Sequence, residues 1–235
     1  MNIMSDATPP NATSSRPRQL ALALDHAESY AREDFLAGPS NGGALALVDA
    51  WPDWPAHAIA LIGPEGSGKT HVATIWAAAA GARVVAARSL GEVDLRAALA
   101  TGALVVEDAE HIGDERALFH LINMAREEGA FLLFTARTVP SLWPVAVPDV
   151  VSRLRAMPVA AMQAPDDAML RGVIVKLAAD RQLQFDESVV GYLSNHIERS
   201  FAAARAAVIA LDREALRQGR PPSRLLAAEL FRDGG

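Results

Sequence analysis

Between residues 58 and 161, short apolar runs recur at regular intervals, with helical stretches filling the gaps between them. The runs 58–62, 83–87, 103–107, 131–135 and 157–161 each have the length and apolar content of a buried strand. Segments 69–80 and 115–128 carry helix-forming residues at helical spacing. Strand–helix alternation of this kind predicts a βαβ series, a parallel five-stranded sheet covered by helices on both faces. After Pro165 the pattern turns wholly helical, over 166–181, 187–196, 201–217 and 223–231. Asp166, Asp167, Asp186 and Ser200 stand where N-caps are expected, and Pro221-Pro222 separates the last two helices. The expected organisation is therefore an α/β base over 25–162 and a small helical lid over 163–235. Residues 1–18, rich in Ser, Thr, Asn and Pro, read as a disordered tail. No internal repeat is visible.

The join between the first strand and the first long helix carries the chemistry. Gly63-Pro64-Glu65-Gly66-Ser67-Gly68-Lys69-Thr70 fills every fixed position of the phosphate-binding loop G-x-x-x-x-G-K-[ST]. Glycines let such a loop wrap a phosphate chain with its backbone N–H groups turned inward. The lysine reaches the β/γ-phosphates and the threonine hydroxyl can ligate Mg²⁺. A strand before the loop and a helix after it set the helix N-terminus, with its unpaired amides, against the anion.

Composition narrows the setting. The 235 residues suffice for one large or two modest domains, and the 51% hydrophobic content is swollen by alanine. Nothing approaches the ~18 uninterrupted apolar residues of a membrane span, and the N-terminus lacks the pattern of a secretory signal. Cysteine is absent, which excludes disulfides and thiolate metal sites, and the six histidines show no metal-ligand spacing. A cytoplasmic protein is expected. The formal net charge of −6 argues against strong direct binding to nucleic acid, which normally needs a basic excess or stripe.

A second nucleotide element lies on the third run, Leu104-Val105-Val106-Glu107-Asp108, which has the form of a Walker B strand. Such a strand presents acids at its C-terminal end to hold Mg²⁺ and orient a water. The usual first acid is aspartate; here Glu107 is one methylene longer, a poorer fit to the octahedron that Mg²⁺ prefers. Asp108 follows where a water-orienting acid would sit. Nucleotide binding is the firm expectation, rapid hydrolysis is not.

Further segments, in order, carry a family resemblance. Phe35-Leu36-Ala37-Gly38-Pro39-Ser40-Asn41 resembles the segment that cradles adenine in the replication initiator DnaA. Ser152-Arg153-Leu154 is similar to the box VII motif of AAA+ proteins, which carries an arginine finger, and Arg205 aligns with the lid arginine called sensor II. Together these resemble the AAA+ core of DnaA, while nothing in the 235 residues resembles the DNA-binding domain that follows that core in DnaA. Gln19-Leu20-Ala21-Leu22-Ala23-Leu24 is similar to the Q-L-x-L-x-L peptide by which replication proteins dock on the bacterial sliding clamp. Gln19 would hydrogen-bond at a pocket rim, with Leu20, Leu22 and Leu24 as apolar anchors. Alone, the hexapeptide reads as readily as a hydrophobic helix start or edge strand. Between a polar tail and a DnaA-like core, it completes a likeness to the Hda family of DnaA-related regulators.

The resemblance implies an AAA+ P-loop NTPase base with a helical lid. It implies ADP or ATP held by Gly63 to Thr70, Leu36, Ala37 and Arg205, with Mg²⁺ at Thr70, Glu107 and Asp108. The implied partners are DnaA, the β-subunit clamp of DNA polymerase III, DNA through the clamp, and a second copy of the chain as a homodimer; no membrane is involved. Arg153 would act in trans on ATP held by DnaA, so the chain would activate another protein's ATPase more than its own. Two departures stand out. The sensor I segment, usually Asp-Arg-Pro-Pro, reads Thr135-Ala136-Arg137-Thr138-Val139-Pro140, with an arginine for the acid, and Ala23 replaces a proline frequent in clamp peptides. The competing readings are an ATP-hydrolysing AAA+ protein of the helicase-loader type and a small P-loop kinase. The kinase is disfavoured because the extra helices follow the α/β core instead of interrupting it. The four tryptophans read as packing residues.

Overall fold

A computed structural model describes residue 32 and residues 35–231. Five strands form one parallel sheet: β1 (Ala58–Ile62), β2 (Arg83–Ala86), β3 (Ala103–Glu107), β4 (Phe131–Ala136) and β5 (Val159–Ala161), in the order β2-β3-β4-β1-β5. The chain enters the sheet at β1, crosses to the far edge at β2, fills back through β3 and β4, and passes to the other side of β1 with β5. The order therefore reverses at β1, and in open α/β sheets ligands bind outside the carboxyl ends of the strands at such a switch point.

Side-chain alternation along the strands divides the interior into two layers. Ile59, Leu61, Ala103, Val105, Leu133 and Ala160 face α1 (Gly42–Asp49) and α2 (Lys69–Ala80), where Leu45, Val48, Val72, Ile75 and Trp76 meet them. Ala60, Leu104, Val106, Leu132 and Phe134 face the opposite way. There they pack against the one-turn α3 (Leu95–Ala98), α4 (Glu115–Glu128) and α5 (Pro148–Ala156), through residues such as Leu118, Leu121, Val150 and Leu154. The sheet is covered on both faces, as the alternation of runs predicts.

Four further helices, α6 (Asp167–Asp180), α7 (Glu187–His196), α8 (Phe201–Gln218) and α9 (Arg224–Phe231), follow the sheet and enclose their own core. Leu170, Ile174, Val190, Leu193, Val208, Leu211 and Leu226 make up its centre. Asp166, Asp186 and Ser200 cap α6, α7 and α8 by accepting the N–H of Met169, Val189 and Ala203. Each such cap satisfies one of the amides that a helix start leaves unpaired.

Three strands differ in their bounds from expectation, β4 by running one residue further, to Ala136. Ala87 is buried and opens a 3₁₀ segment over 87–92, so β2 stops at Ala86. Pro158 has no N–H to give to a ladder, so β5 starts at Val159, although the Pro158 carbonyl still accepts the Ala60 N–H at 2.9 Å. Trp51, Trp54, Trp76 and Phe131 form one aromatic group in the α1–α2 layer, and Trp143 packs on Phe134 in the other. All four tryptophans are packing residues of the base. No helix among the described residues is long and apolar enough to cross a membrane.

Candidate functional site

Residues 63–68 leave the C-terminal end of β1 and curl into α2, whose first residues are Lys69 and Thr70. Gly66 (φ 71°) and Gly68 (φ 92°) are in left-handed backbone, which a side chain disfavours, and Gly68 is the N-cap of α2. Space matters as much as conformation. A β-carbon on Gly63 would stand 2.6 Å from the Met162 carbonyl oxygen, and one on Gly66 would stand 2.3 Å from Ser200 Cβ. The Phe201 ring closes on Gly68, and the Phe201 N–H donates to the Gly66 carbonyl at 3.0 Å. The loop is therefore pressed between the end of β5 and the first turn of α8. Ser67 Oγ is buried at its centre without a hydrogen-bond partner.

Lys69 donates from Nζ to the carbonyls of Gly63 and Pro64, each at 2.8 Å. Burial pulls its ammonium below the ordinary lysine range. Glu110 opposes that shift most, Arg137 adds to it, and Asp108 and Glu65 also oppose it. These four residues come from three loops at the carboxyl ends of β1, β3 and β4. Glu107, the last residue of β3, shares the strand face of Ala103 and Val105, the face covered by α2. Thr135 on β4 is buried and accepts the Asp108 N–H at 3.2 Å, while Asp108 itself is in left-handed backbone at φ 54°. This bond ties the end of β3 to β4, the strand standing between it and β1.

Leu36 and Ala37 lie on the segment that leads into α1. Asn41, buried at the start of α1, accepts the Gly38 N–H at 2.8 Å and donates to the Leu36 carbonyl at 3.0 Å, which fixes the turn over 36–41. Phe35 packs edge-on against His71 of α2. A β-carbon on Gly38 or Gly172 would meet Met169 or Leu36 respectively, so the segment touches α6 on its other side. It thus spans the seam between base and lid. Arg205 lies one turn along α8 from Phe201, on the helix face that reaches the loop. Arg199 instead precedes α8 and pairs with Asp167 at 2.8 Å.

Arg153 belongs to a different layer. It donates from Nη1 to Asn123 Oδ1 of α4 at 2.6 Å and pairs with Asp149 one turn back on α5 at 2.9 Å. Glu115 of α4 accepts the N–H groups of Ala146 and Val147, anchoring the segment that leads into α5. The structure brings Gly63, Pro64, Glu65, Gly66, Ser67, Gly68, Lys69 and Thr70 together with Asp108, whose charge acts on Lys69; Glu107 precedes Asp108 at the end of β3, Leu36 and Ala37 lie on the segment before α1, and Arg205 lies one turn into α8. It sets Arg153 apart from them. Gln19, Leu20, Leu22 and Leu24, like the tail over 1–18, lie outside the described residues.

The loop fits a nucleotide by its own geometry, with the glycines packed too closely for side chains, an orphaned buried hydroxyl at Ser67, and an ammonium at its mouth. Thr70, Glu107 and Asp108 carry oxygen donors of the hard type that Mg²⁺ takes. Among the described residues, no group of three or more His, Cys, Asp or Glu is gathered as for a protein-only metal site. Sequence reasoning missed Ser200 and Phe201 as neighbours of the phosphate loop. The cap position of Ser200 was legible; its contact with Gly66 was not.

No family model and no curated protein sequence matches the chain. Solved structures do. Domain III of the Thermotoga maritima replication initiation protein DnaA superposes with a TM-score of 0.74 over 87% of this chain and 96% of that one, at 19% identity. DnaA from Aquifex aeolicus bound to AMPPCP gives 0.66 over 80% and 66%, at 19% identity. A point variant of Thermotoga maritima RuvB gives 0.68 over 86% and 70%, at 15% identity. The chain has the AAA+ fold, a five-stranded parallel base followed by a helical lid.

Proposed function

We propose that the chain is an adenine-nucleotide-binding AAA+ regulator of the Hda type. Docked on the DNA-loaded sliding clamp through Gln19, Leu20, Leu22 and Leu24, it stimulates ATP hydrolysis by DnaA with Arg153 supplied in trans, and so limits replication initiation. The observation that carries this reading is the separation of roles within the fold. The residues of the phosphate loop, Lys69 foremost, form one crevice clamped by the lid, whereas Arg153 is held on the α4–α5 layer and is not among the charges acting on Lys69. The likeness to DnaA domain III and to a DnaA holding AMPPCP supports an adenine nucleotide in the crevice and a DnaA-type partner surface. Gly63 to Thr70 would hold ADP or ATP, with Mg²⁺ at Thr70, Glu107 and Asp108, and a nucleotide held there would supply an anionic bridge between base and lid. Lys69 holds the end of the phosphate chain, Arg205 approaches from the lid, and Leu36 and Ala37 flank the base. An arginine supplied in trans neutralises charge on a transferring phosphoryl group and is worth roughly 10³–10⁵ in rate in the best-studied GTPase case.

A second reading, an ATPase of the helicase-loader type with its own turnover on DNA, draws on Glu107 and Thr135 sharing the α2 face beside the loop and on the likeness to RuvB. ATP turnover measured on the isolated chain, then with clamp–DNA and DnaA–ATP, separates the two. The regulator shows little turnover alone and a clamp-dependent increase with DnaA. Turnover that neither responds to DnaA nor needs the clamp would overturn it.

A further inference from the structure

Strand β5 is an edge of the sheet, and its outer side is open. In a parallel ladder the backbone groups of alternate residues point to opposite sides. Toward β1 the bonds fall on the even-numbered residues. The Pro158 carbonyl accepts the Ala60 N–H at 2.9 Å, and the Met162 N–H donates to the Ile62 carbonyl at 2.7 Å. The N–H and C=O groups of Val159 and Ala161 therefore point away from the sheet, and among the described residues nothing pairs with them. The side chains add to the opening. Ala160 is buried on the α1–α2 side, whereas Val159 is 40% exposed on the other side and Ala161 is exposed beside it. An apolar edge with a free ladder is a template for a further strand. At the opposite edge, β2 begins on the exposed Arg83, a charge of the kind that discourages such pairing.

The chain brings its own candidate to this side of the base. The segment before α1 meets the residues after β5, where the Gln163 N–H donates to the Ser40 carbonyl at 2.9 Å, and α1 packs across β5. At the far end of α1, Asp49 pairs with Arg32 at 2.9 Å, so the residues before 32 start from the helix that covers this edge. Gln19-Leu20-Ala21-Leu22-Ala23-Leu24, outside the described residues, has the strict alternation of a strand with one apolar face. The seven residues 25–31 that separate it from Arg32 reach about 23–25 Å when extended, while α1 is only about 12 Å long. We infer that the outer edge of β5 is a strand-addition site for the chain's own Gln19–Leu24, with the three leucines laid over Val159. A peptide paired there is withheld from every other partner. The competition with the sliding clamp for the same leucines rests on the function proposed above; the pairing itself does not.

Hydrogen exchange in the full chain reads the pairing. The Val159 and Ala161 amides are expected to exchange about tenfold more slowly than in a chain carrying Leu20→Asp and Leu22→Asp. The Ala160 amide, which faces β1 in both chains, should not change. A pairing constant of about ten leaves only about a tenth of the peptide free, so affinity for the purified sliding clamp should rise about tenfold when the edge is blocked. Ala161→Pro blocks it by removing an outward N–H that no ladder bond uses. Val159→Lys, at an exposed position, blocks it by charge with the backbone unaltered. The slowing of exchange and the gain in clamp affinity must agree in size, because both count the same paired fraction. Equal exchange at Val159 and Ala161 in the unaltered chain and the aspartate variant would overturn the pairing. So would protection that grows with protein concentration, which assigns the edge to the peptide of a second copy. Protection with no gain in clamp affinity from either edge variant would overturn the competition. Protection in a chain that binds no clamp, edge blocked or not, would overturn the clamp reading and leave the pairing standing.

Discussion

Replacing Gly66 by alanine strains the molecule in two separable ways. The backbone at φ 71° lies in the left-handed region, where an alanine costs roughly 1–2 kcal/mol. The new methyl also lands 2.3 Å from Ser200 Cβ and 3.0 Å from its Oγ, both on the cap of α8, and forcing such a contact apart costs about 1–3 kcal/mol. The expected loss is therefore about 2–5 kcal/mol. Ser200→Gly removes both clashing atoms, leaving Ser200 Cα at an ordinary 3.4 Å, and glycine retains most of the value of an N-cap. In that background Gly66→Ala should cost only the backbone part, about 1–2 kcal/mol, giving a coupling of about 1–3 kcal/mol between the sites. Urea unfolding followed by tryptophan fluorescence measures all four chains of the cycle. Trp51, Trp54, Trp76 and Trp143 all report on the base, and far-ultraviolet circular dichroism adds the lid helices. An equal cost in both backgrounds, or a cost below about 1 kcal/mol in the native one, would refute the docking of α8 on the loop.

Arg153→Ala should abolish the stimulation of DnaA's ATPase while leaving clamp binding intact. Its partners are a neutral amide and a half-exposed Asp149, so a stability change under about 1 kcal/mol is expected in urea unfolding; simultaneous loss of clamp binding would mean a structural role. Replacing Gln19 and Leu20 together by alanine should eliminate clamp pull-down and preserve nucleotide affinity, and surviving pull-down would reduce that peptide to a structural one. Because burial lowers the Lys69 pKa from 10.5, nucleotide affinity should fall as pH rises through that lowered value, before the ordinary lysine range is reached. Lys69→Arg should remove the fall, which calorimetry across alkaline pH would show. For folding the sign is reversed: the unfolded chain holds this proton more tightly, so the contribution of Lys69 to stability rises with pH through the same window.

The strands were legible because each is a short apolar run set between helical stretches, the three central ones deeply buried, and the lid helices because Asp166, Asp186 and Ser200 announce their starts. Helix α1 was not, and the reason is specific. It opens on Gly42-Gly43, and Asn41 before it makes no side-chain cap, its amide being spent on Leu36 and Gly38. Helix α5 opens on Pro148 only four residues after Pro144 and is nine residues long, so only its arginine motif was visible. The phosphate loop was legible because its chemistry is contiguous. The Arg137 cluster was not, because its partners arrive from separate strand ends and only the order of the sheet makes them neighbours. The same holds for Phe201 against the loop, since no local pattern relates the start of a lid helix to a glycine of the base.

That last contact makes the molecule its own gauge of lid position. Amides in the first turn of a helix have no intrahelical acceptor and ordinarily exchange their hydrogens with solvent freely. The Phe201 amide is such a group, yet its acceptor is Gly66 in the other part of the protein. Its exchange is therefore blocked by docking and not by the helix ladder, and the opening free energy read at this one proton is that of the lid lifting from the loop. Comparing its protection with that of Val208 and Leu211, deep in the same helix, distinguishes a lid that swings as a unit from one that melts.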